Sequence, residues 1–331
     1  MFRRILMAAA IALGLMAAPA MAEPLKEINF GIISTESSQN LRPKWDPFLA
    51  DLEKQTGIKV NAFFAPDYAG VIEAMRFNKV QVAWFGNKSA MEAVDRAEGE
   101  VFVQTVDVEG NPGYWSVLIA HKDSPYNNFD DVLANASEVT FGNGDPNSTS
   151  GFLVPSYYLF AQNGVDPKKV FKRVLNANHE SNALAVASKQ VDIATNNTEN
   201  LRIIENKAPE HYAQIKEIWR SPLIPSDPIV WRKDLDDETK AKIRGFFLNY
   251  GVSGDDVEHA KEVLAGLDWA PFRPSDNNQL LPIRQLELAK DRAKIEGDGK
   301  LSADEKTAKL AEIDAQLASL QEQAEKLQKA Q

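Results

Sequence analysis

Apolar residues along this chain fall into short runs, separated by stretches in which they recur every three or four positions. INFGII (28–33), KVNAFFA (59–65), QVAWFG (81–86) and VFVQTV (101–106) read as strands, being short, rich in β-branched and aromatic residues and bounded by polar turns. Between the first three lie LRPKWDPFLADLEKQTG and YAGVIEAMRFNK, whose spacing predicts helices, the first ending at Gly57. The alternation resumes in YWSVLIA (114–120), EVTFGN (138–143), RVLNA (173–177), VDIATN (191–196) and IKEIW (215–219). Strands alternating with helices predict an α/β fold with a mostly parallel sheet covered on both faces.

The pattern changes after about Leu280. Residues 284–331 contain no proline and are rich in Glu, Lys, Gln and Ala. Leu310, Ile313, Leu317, Leu320, Ala324 and Leu327 recur at alternating spacings of three and four, the a/d stripe of a coiled coil or helical hairpin. Two partners satisfy such a C-terminal helical extension: a second copy, giving a homodimer, or the protein's own body. Ser302 and Glu305 form an S-x-x-E capping box that starts the last helix. The preceding EGDGKLSADE is not a calcium loop, because alignment on Gly299 puts Lys294 at the first ligand position.

At the other end, residues 1–22 combine two arginines, an alanine- and leucine-rich run and Ala20-Met21-Ala22, the pattern of a cleaved signal peptide. The 331 residues include no cysteine, which excludes disulfides, thiol catalysis, thiolate metal sites and a cysteine-borne lipid anchor. Export without an anchor predicts a soluble periplasmic protein. The formal charge is −10, and removing Arg3 and Arg4 with the signal peptide leaves −12. That balance argues against nucleic acid as a partner. A small anion is not excluded, because its site is built locally.

Candidate chemistry concentrates in GNGDPNSTSGF (142–152). A strand runs into a Gly/Asp/Pro/Asn turn, then Ser148-Thr149-Ser150-Gly151, then the helical pattern FLVPSYYLFAQ. Open backbone N–H groups and the positive end of the dipole make a helix start a natural anion site. An ordinary N-cap needs one hydroxyl, whereas three in a row favour an anion cradle. The stretch has no lysine or arginine, so it is not a P-loop. Pro155 falls inside the helix and predicts a bend.

The blocks NFGIISTESSQNLRP, VNAFFAPDYAGVIEAMRFNKV, AMEAVDRA, GYWSVLIA, FGNGDPNSTSGFLVP, NNTENL and SPLIPSDPIVWRK closely resemble the phosphonate-binding proteins of bacterial phosphonate ABC importers. The resemblance spans nearly the whole mature chain, more loosely in the helical tail. It implies a type II periplasmic binding protein, two α/β lobes joined by two crossing segments. Lobe one would take 23–117 and 223–283, lobe two 118–222, and 284–331 the extension. Tyr68 and Tyr114 would donate phenolic hydrogen bonds to the phosphonate. Ser148, Thr149 and Ser150 would hold the same group from lobe two, with His179 as a further donor. Glu199 and Asp227 would face the other end of the ligand and pair with an ammonium. Asn178 is a departure, since a glycine often precedes the histidine. The implied partner is an inner-membrane ABC permease; no cofactor and no metal are implied.

Without the resemblance, Tyr68 reads equally as a packing residue, His179 as a cap-region residue and Glu199 as a helix-start acid. Asp227 stands out because it lies between two prolines, where helix or strand demands explain little. Two carboxylates would discriminate against inorganic phosphate, whose short body would leave them buried and unpaired. The expected ligand is therefore 2-aminoethylphosphonate. One rival is ferric iron, for which Tyr68, Tyr114, His179, Asp227 and the Tyr157-Tyr158 pair are suitable types; another is a different oxyanion, such as phosphate, phosphite or a sulfonate. An enzyme is disfavoured, because four histidines without H-x-x-x-H spacing and a Ser148 without an evident base offer no catalytic set.

Overall fold

The computed structural model describes residues 24–330, so the signal-peptide expectation for residues 1–22 lies outside the described residues. The chain first builds β1 (Glu27–Ile32), α1 (Ser38–Thr56), β2 (Lys59–Phe64), α2 (Tyr68–Arg76), β3 (Val82–Trp84), α3 (Asn87–Arg96) and β4 (Gly99–Asp107). It then crosses through β5 (Gly113–Tyr114) into β6 (Ser116–His121), α4 (Phe129–Ala134), β7 (Thr140–Asn143), α5 (Pro167–Val170) and β8 (Arg173–Asn176). There follow α6 (His179–Ala187), β9 (Ile193–Asn197), α7 (Thr198–Lys207), α8 (Pro209–Tyr212) and β10 (Ile215–Arg220). The return passes through β11 (Ile224–Pro225) to β12 (Pro228–Arg232), α9 (Asp237–Asn249), α10 (Val257–Gly266), β13 (Trp269–Pro274), α11 (Leu281–Glu296) and α12 (Ala303–Ala330).

Two sheets result. One has six strands in the order β13-β4-β12-β3-β1-β2, the other five in the order β10-β6-β9-β7-β8, and β5 pairs with β11 between them. The α/β alternation is as expected, but the sheets are mixed rather than mostly parallel. Parallel pairing joins β1 to β2 and β3, and β7 to β8 and β9. The strands that follow a crossing, β6 and β12, each lie antiparallel between their neighbours. The reason is direction of entry: β6 and β12 are entered from the crossing and begin at the cleft, whereas β1, β3, β7 and β9 reach it at their carboxyl ends.

The six-stranded body is centred on an aromatic cluster. Phe48 meets Phe246, Phe247, Tyr250 and Phe272 at ring-centroid distances of 5.4 to 5.8 Å, mostly edge-on. Such geometry suits the ring quadrupoles. The cluster runs on through Trp45 to Trp84 and Trp269, at 5.5 and 5.3 Å, which carries rigid core up to the cleft. The second body has smaller clusters on the two faces of its sheet.

The C-terminal stripe is met within the chain. α12 packs back along α11, which itself rests on α3, and Ile313 of the stripe is buried. The capping box forms as read: Glu305 Oε2 accepts from Ser302 N at 2.9 Å, and Ser302 Oγ from Glu305 N at 3.3 Å. Among the described residues no helix is long and apolar enough to cross a membrane.

Candidate ligand-binding site

A cavity of about 60 Å³ lies between the two sheets, and Tyr68, Tyr114, Ser148, Thr149, Ser150, His179, Glu199 and Asp227 all line it. Each stands where a strand gives way to a helix or to a crossing. Tyr68 opens α2, Tyr114 lies in β5 opposite Ile224, His179 opens α6, Glu199 is in the first turn of α7 and Asp227 follows β11. Asn178 proves to be the N-cap of α6, accepting from Ser181 N at 2.8 Å. Tyr157 and Tyr158 lie outside the cavity, ring against ring at 4.9 Å, with Tyr158 packed on the small cluster that includes Tyr114.

The three hydroxyls share one arrangement: each oxygen already accepts a bond from the protein. Ser148 Oγ caps its helix, accepting from Gly151 N at 2.9 Å. Thr149 Oγ1 accepts from Lys88 N at 2.8 Å, and Ser150 Oγ from Asn197 Nδ2 at 3.1 Å. A hydroxyl has one hydrogen to give, so these bonds fix the oxygens and direct the hydrogens elsewhere, that of Ser148 to an anion or to His179 Nε2 at 3.4 Å.

His179 stands beside the hydroxyls, its Nε2 near Ser148 and Asn197. Asn197 Oδ1 accepts from Asn200 N at 2.7 Å, which orients that amide so that its Nδ2 faces His179 Nε2 at 3.3 Å. Nε2 also lies 3.4 Å from Ser148 Oγ, and the tautomer sets which of the two gives the hydrogen. Nδ1 is buried without a partner. Burial pushes the imidazole down to about 4, so it is neutral at ordinary pH. This part of the lining therefore offers donors without a formal cation.

Pro155 shapes the cradle. The expected bend is instead a widening: Thr149–Leu153 and Ser156–Phe160 form π-type turns, with Leu153 N bonded to Ser148 O at 3.1 Å. Proline has no N–H for the carbonyl four residues back, which is Gly151 O. That oxygen is taken by Gly144 N at 3.0 Å and Thr195 Oγ1 at 2.7 Å, tying the helix start to the sheet. A Cβ on Gly144 would lie 2.5 Å from the Gly151 carbonyl carbon, so only glycine permits this approach.

The two acids line the same cavity, Glu199 from the start of α7 and Asp227 from the returning crossing segment. Asp227 Oδ1 accepts from Tyr114 Oη at 2.9 Å. Burial lifts its carboxyl to about 7, against the pull of the Tyr114 hydroxyl and the Trp84 N–H. Trp84 Nε1 has no acceptor in hydrogen-bonding geometry, yet lies near enough to favour the ionised acid. Glu199 is also held well above the usual carboxylate range, first by burial, then by Asp227 and Asp107, with Arg202 opposing. Arg202 is largely committed elsewhere, 2.7 Å from Asp107 and 3.4 Å from Asp268. Acids in excess over cations make this part of the lining suited to a positive group.

The sequence reading missed Trp45, Trp84, Trp269, Asn197 and Asn200, all of which line the cavity. Trp84 closes β3 and Asn197 closes β9. The rule that ligands lie at the carboxyl ends of strands would have pointed to both. Trp45 and Trp269 carry no such mark, since a core tryptophan looks the same.

The family description "ABC transporter, phosphonate, periplasmic substrate-binding protein" matches residues 30–280. The phosphonates-binding periplasmic protein of Escherichia coli (strain K12) is 61% identical over 303 residues, covering 91% of this chain and 88% of its own. A crystal structure of a binding protein component of an ABC phosphonate transporter from Pseudomonas aeruginosa superposes with a TM-score of 0.89 at 59% identity, covering 92% of this chain and 99% of that one. A methylphosphonate complex from Prochlorococcus marinus (MIT 9301) has a TM-score of 0.69 at 21% identity, covering 79% and 97%, and bears on the fold alone. With its two mixed sheets and the cleft between them, this chain belongs to the periplasmic substrate-binding proteins of phosphonate ABC transporters, type II in fold and a binding protein rather than an enzyme.

Proposed function

We propose that the protein captures 2-aminoethylphosphonate in this cavity and presents it, lobes closed, to an inner-membrane permease. Ser148, Thr149, Ser150, His179 and Tyr68 hold the phosphonate oxygens, and Glu199 and Asp227 hold the ammonium. Tyr114, bonded to Asp227, joins the two ends. The lobes of the clamp are 23–117 with 223–283, and 118–222, turning about β5 and β11. The observation that carries the reading is the make-up of the lining: hydroxyl donors and a neutral histidine, together with two acids raised by burial. A dianion is well served by many donors, and an ammonium by carboxylates. A ligand lacking the amine leaves both acids unpaired or protonated, which costs affinity.

Calorimetric titration with 2-aminoethylphosphonate, methylphosphonate, phosphate and an alkylsulfonate tests the proposal. The aminoalkyl compound is expected to bind at least tenfold tighter than methylphosphonate, the worth of one charge-assisted hydrogen bond. Equal affinities remove the amine from the reading. A homodimer through α12 would need the apolar stripe that already packs on α11, with Ile313 buried. Sedimentation of the full chain decides it, a monomer at micromolar concentration ending the idea.

A further inference from the structure

Three helices of the six-stranded body, α1, α2 and α3, begin at the cleft, and each receives an acceptor from the opposite body. α3 has no side-chain cap of its own, because Gly86 stands at its N-cap. Thr149 Oγ1 takes the Lys88 N–H instead, at 2.8 Å. A Cβ on Gly86 would press on that oxygen at 3.2 Å. In α2, Asp67 accepts from Gly70 N at 2.8 Å, while Tyr68 N reaches across to Asp145 Oδ2 at 3.1 Å. At α1, Glu180 Oε2 accepts from Ser37 N at 3.1 Å and Glu180 Oε1 from Asn40 Nδ2 at 2.5 Å. Glu180 N returns a bond to Thr35 O at 3.3 Å.

Each bond meets an N–H or amide at the start of a helix, where the dipole is positive, and two of the acceptors are carboxylates. None survives separation of the two bodies. Asp145 and Glu180 do not line the cavity.

We infer that Asp145 and Glu180 are positioning residues for closure: by capping α2 and α1 from across the cleft they hold the closed form, and so set the affinity for every ligand alike. The inference rests on the two-lobe clamp proposed above, but not on the identity of the ligand. Only the closed form buries a ligand, so apparent affinity scales with how readily the protein closes. Loss of a cap therefore weakens binding without touching the ligand.

The experiment uses the full chain with Glu180→Ala, Asp145→Asn and the double substitution, titrated with methylphosphonate and with 2-aminoethylphosphonate. Each single substitution is expected to weaken both ligands by the same factor, about three- to tenfold from the worth of a cap at a helix start, and to speed dissociation. X-ray scattering at saturating ligand should still show the compact form, and without ligand a more open average. Unchanged affinities overturn the inference, as does a loss confined to one ligand. Should Glu180→Ala fail to fold, Glu180→Gln, which keeps the shape and removes the charge, is held to the same equal-factor outcome. If the unaltered protein does not compact on binding, the clamp itself fails, which scattering separates from failure of the caps.

Discussion

The hydroxyl of Tyr114 donates a 2.9 Å hydrogen bond to Asp227 Oδ1, linking the strand that leaves one lobe to the segment that returns to it. The resemblance to the family assigned that hydrogen to the phosphonate. A phenol has one hydrogen, so it cannot fully serve both. Tyr114→Phe separates the assignments. If the hydrogen serves Asp227, the acid becomes harder to ionise. Affinity for 2-aminoethylphosphonate then falls several-fold at pH 7 and recovers by pH 9, while methylphosphonate stays within about twofold. Equal loss for both ligands, measured by calorimetry, returns the hydrogen to the phosphonate.

Asp227→Asn keeps an acceptor for Tyr114 and removes the charge. Affinity for 2-aminoethylphosphonate is expected to drop by about ten- to a hundredfold, the range for a charge-assisted hydrogen bond, with little change for methylphosphonate. A parallel loss for the two would show that Asp227 shapes the cleft and does not read the amine.

The raised acids also fix a pH dependence. Asp227 titrates near 7 in the ligand-free cavity, and Glu199 is likewise pushed up. An ammonium beside them favours the ionised forms, so binding at pH 6 must expel an Asp227 proton that is largely absent at pH 8. The preference for 2-aminoethylphosphonate over methylphosphonate should therefore shrink as pH falls from 8 to 5.5, and the binding enthalpy at pH 6 should vary with the buffer's ionisation enthalpy. A ratio flat across that range would place Asp227 in the ionised state beforehand and refute its shift.

His179 behaves in the opposite way. Burial holds it near 4, so its ring stays neutral through the same range and adds no charge to the cradle. Nuclear magnetic resonance of the ring should show no imidazolium down to pH 5 in the liganded protein. His179→Phe should weaken all phosphonates together by about tenfold, because it removes one donor to the shared headgroup. Loss restricted to the amine ligand would contradict its place.

How much of this was legible beforehand depends on what periodicity can carry. Spacing along the chain marked most of the strands through β10, together with the Gly57 stop and the Ser302–Glu305 box, because each is a local signal. It did not mark β12, nor the reversed direction of β6, since a strand's alternation reads the same both ways. The eight residues that meet in the cavity were found through family blocks; local chemistry alone singled out only the hydroxyl run and Asp227. Trp45 and Trp269 were invisible because a cavity wall and a core use the same aromatic residues. The pairing of Arg202 with Asp107 joins positions far apart in sequence, and no local pattern announces it.

Pro155 gives a test of whether the shape of the cradle matters as much as its donors. Its missing N–H leaves Gly151 O to Gly144 and Thr195, and the helix start widens into π-type turns. Pro155→Ala supplies an N–H that competes for that oxygen and lets the segment relax toward an ordinary α-helix. The chain should remain folded, since alanine is the better helix former in a helix interior. Ser148 and Ser150, however, would turn away from the positions that Gly151 N and Asn197 now fix. Every phosphonate should then bind more weakly, by about three- to tenfold if one hydroxyl contact is lost, with an undiminished melting temperature for the ligand-free protein. Full affinity in Pro155→Ala would mean that the hydroxyls find the anion whatever the helix geometry, and that the proline serves packing alone.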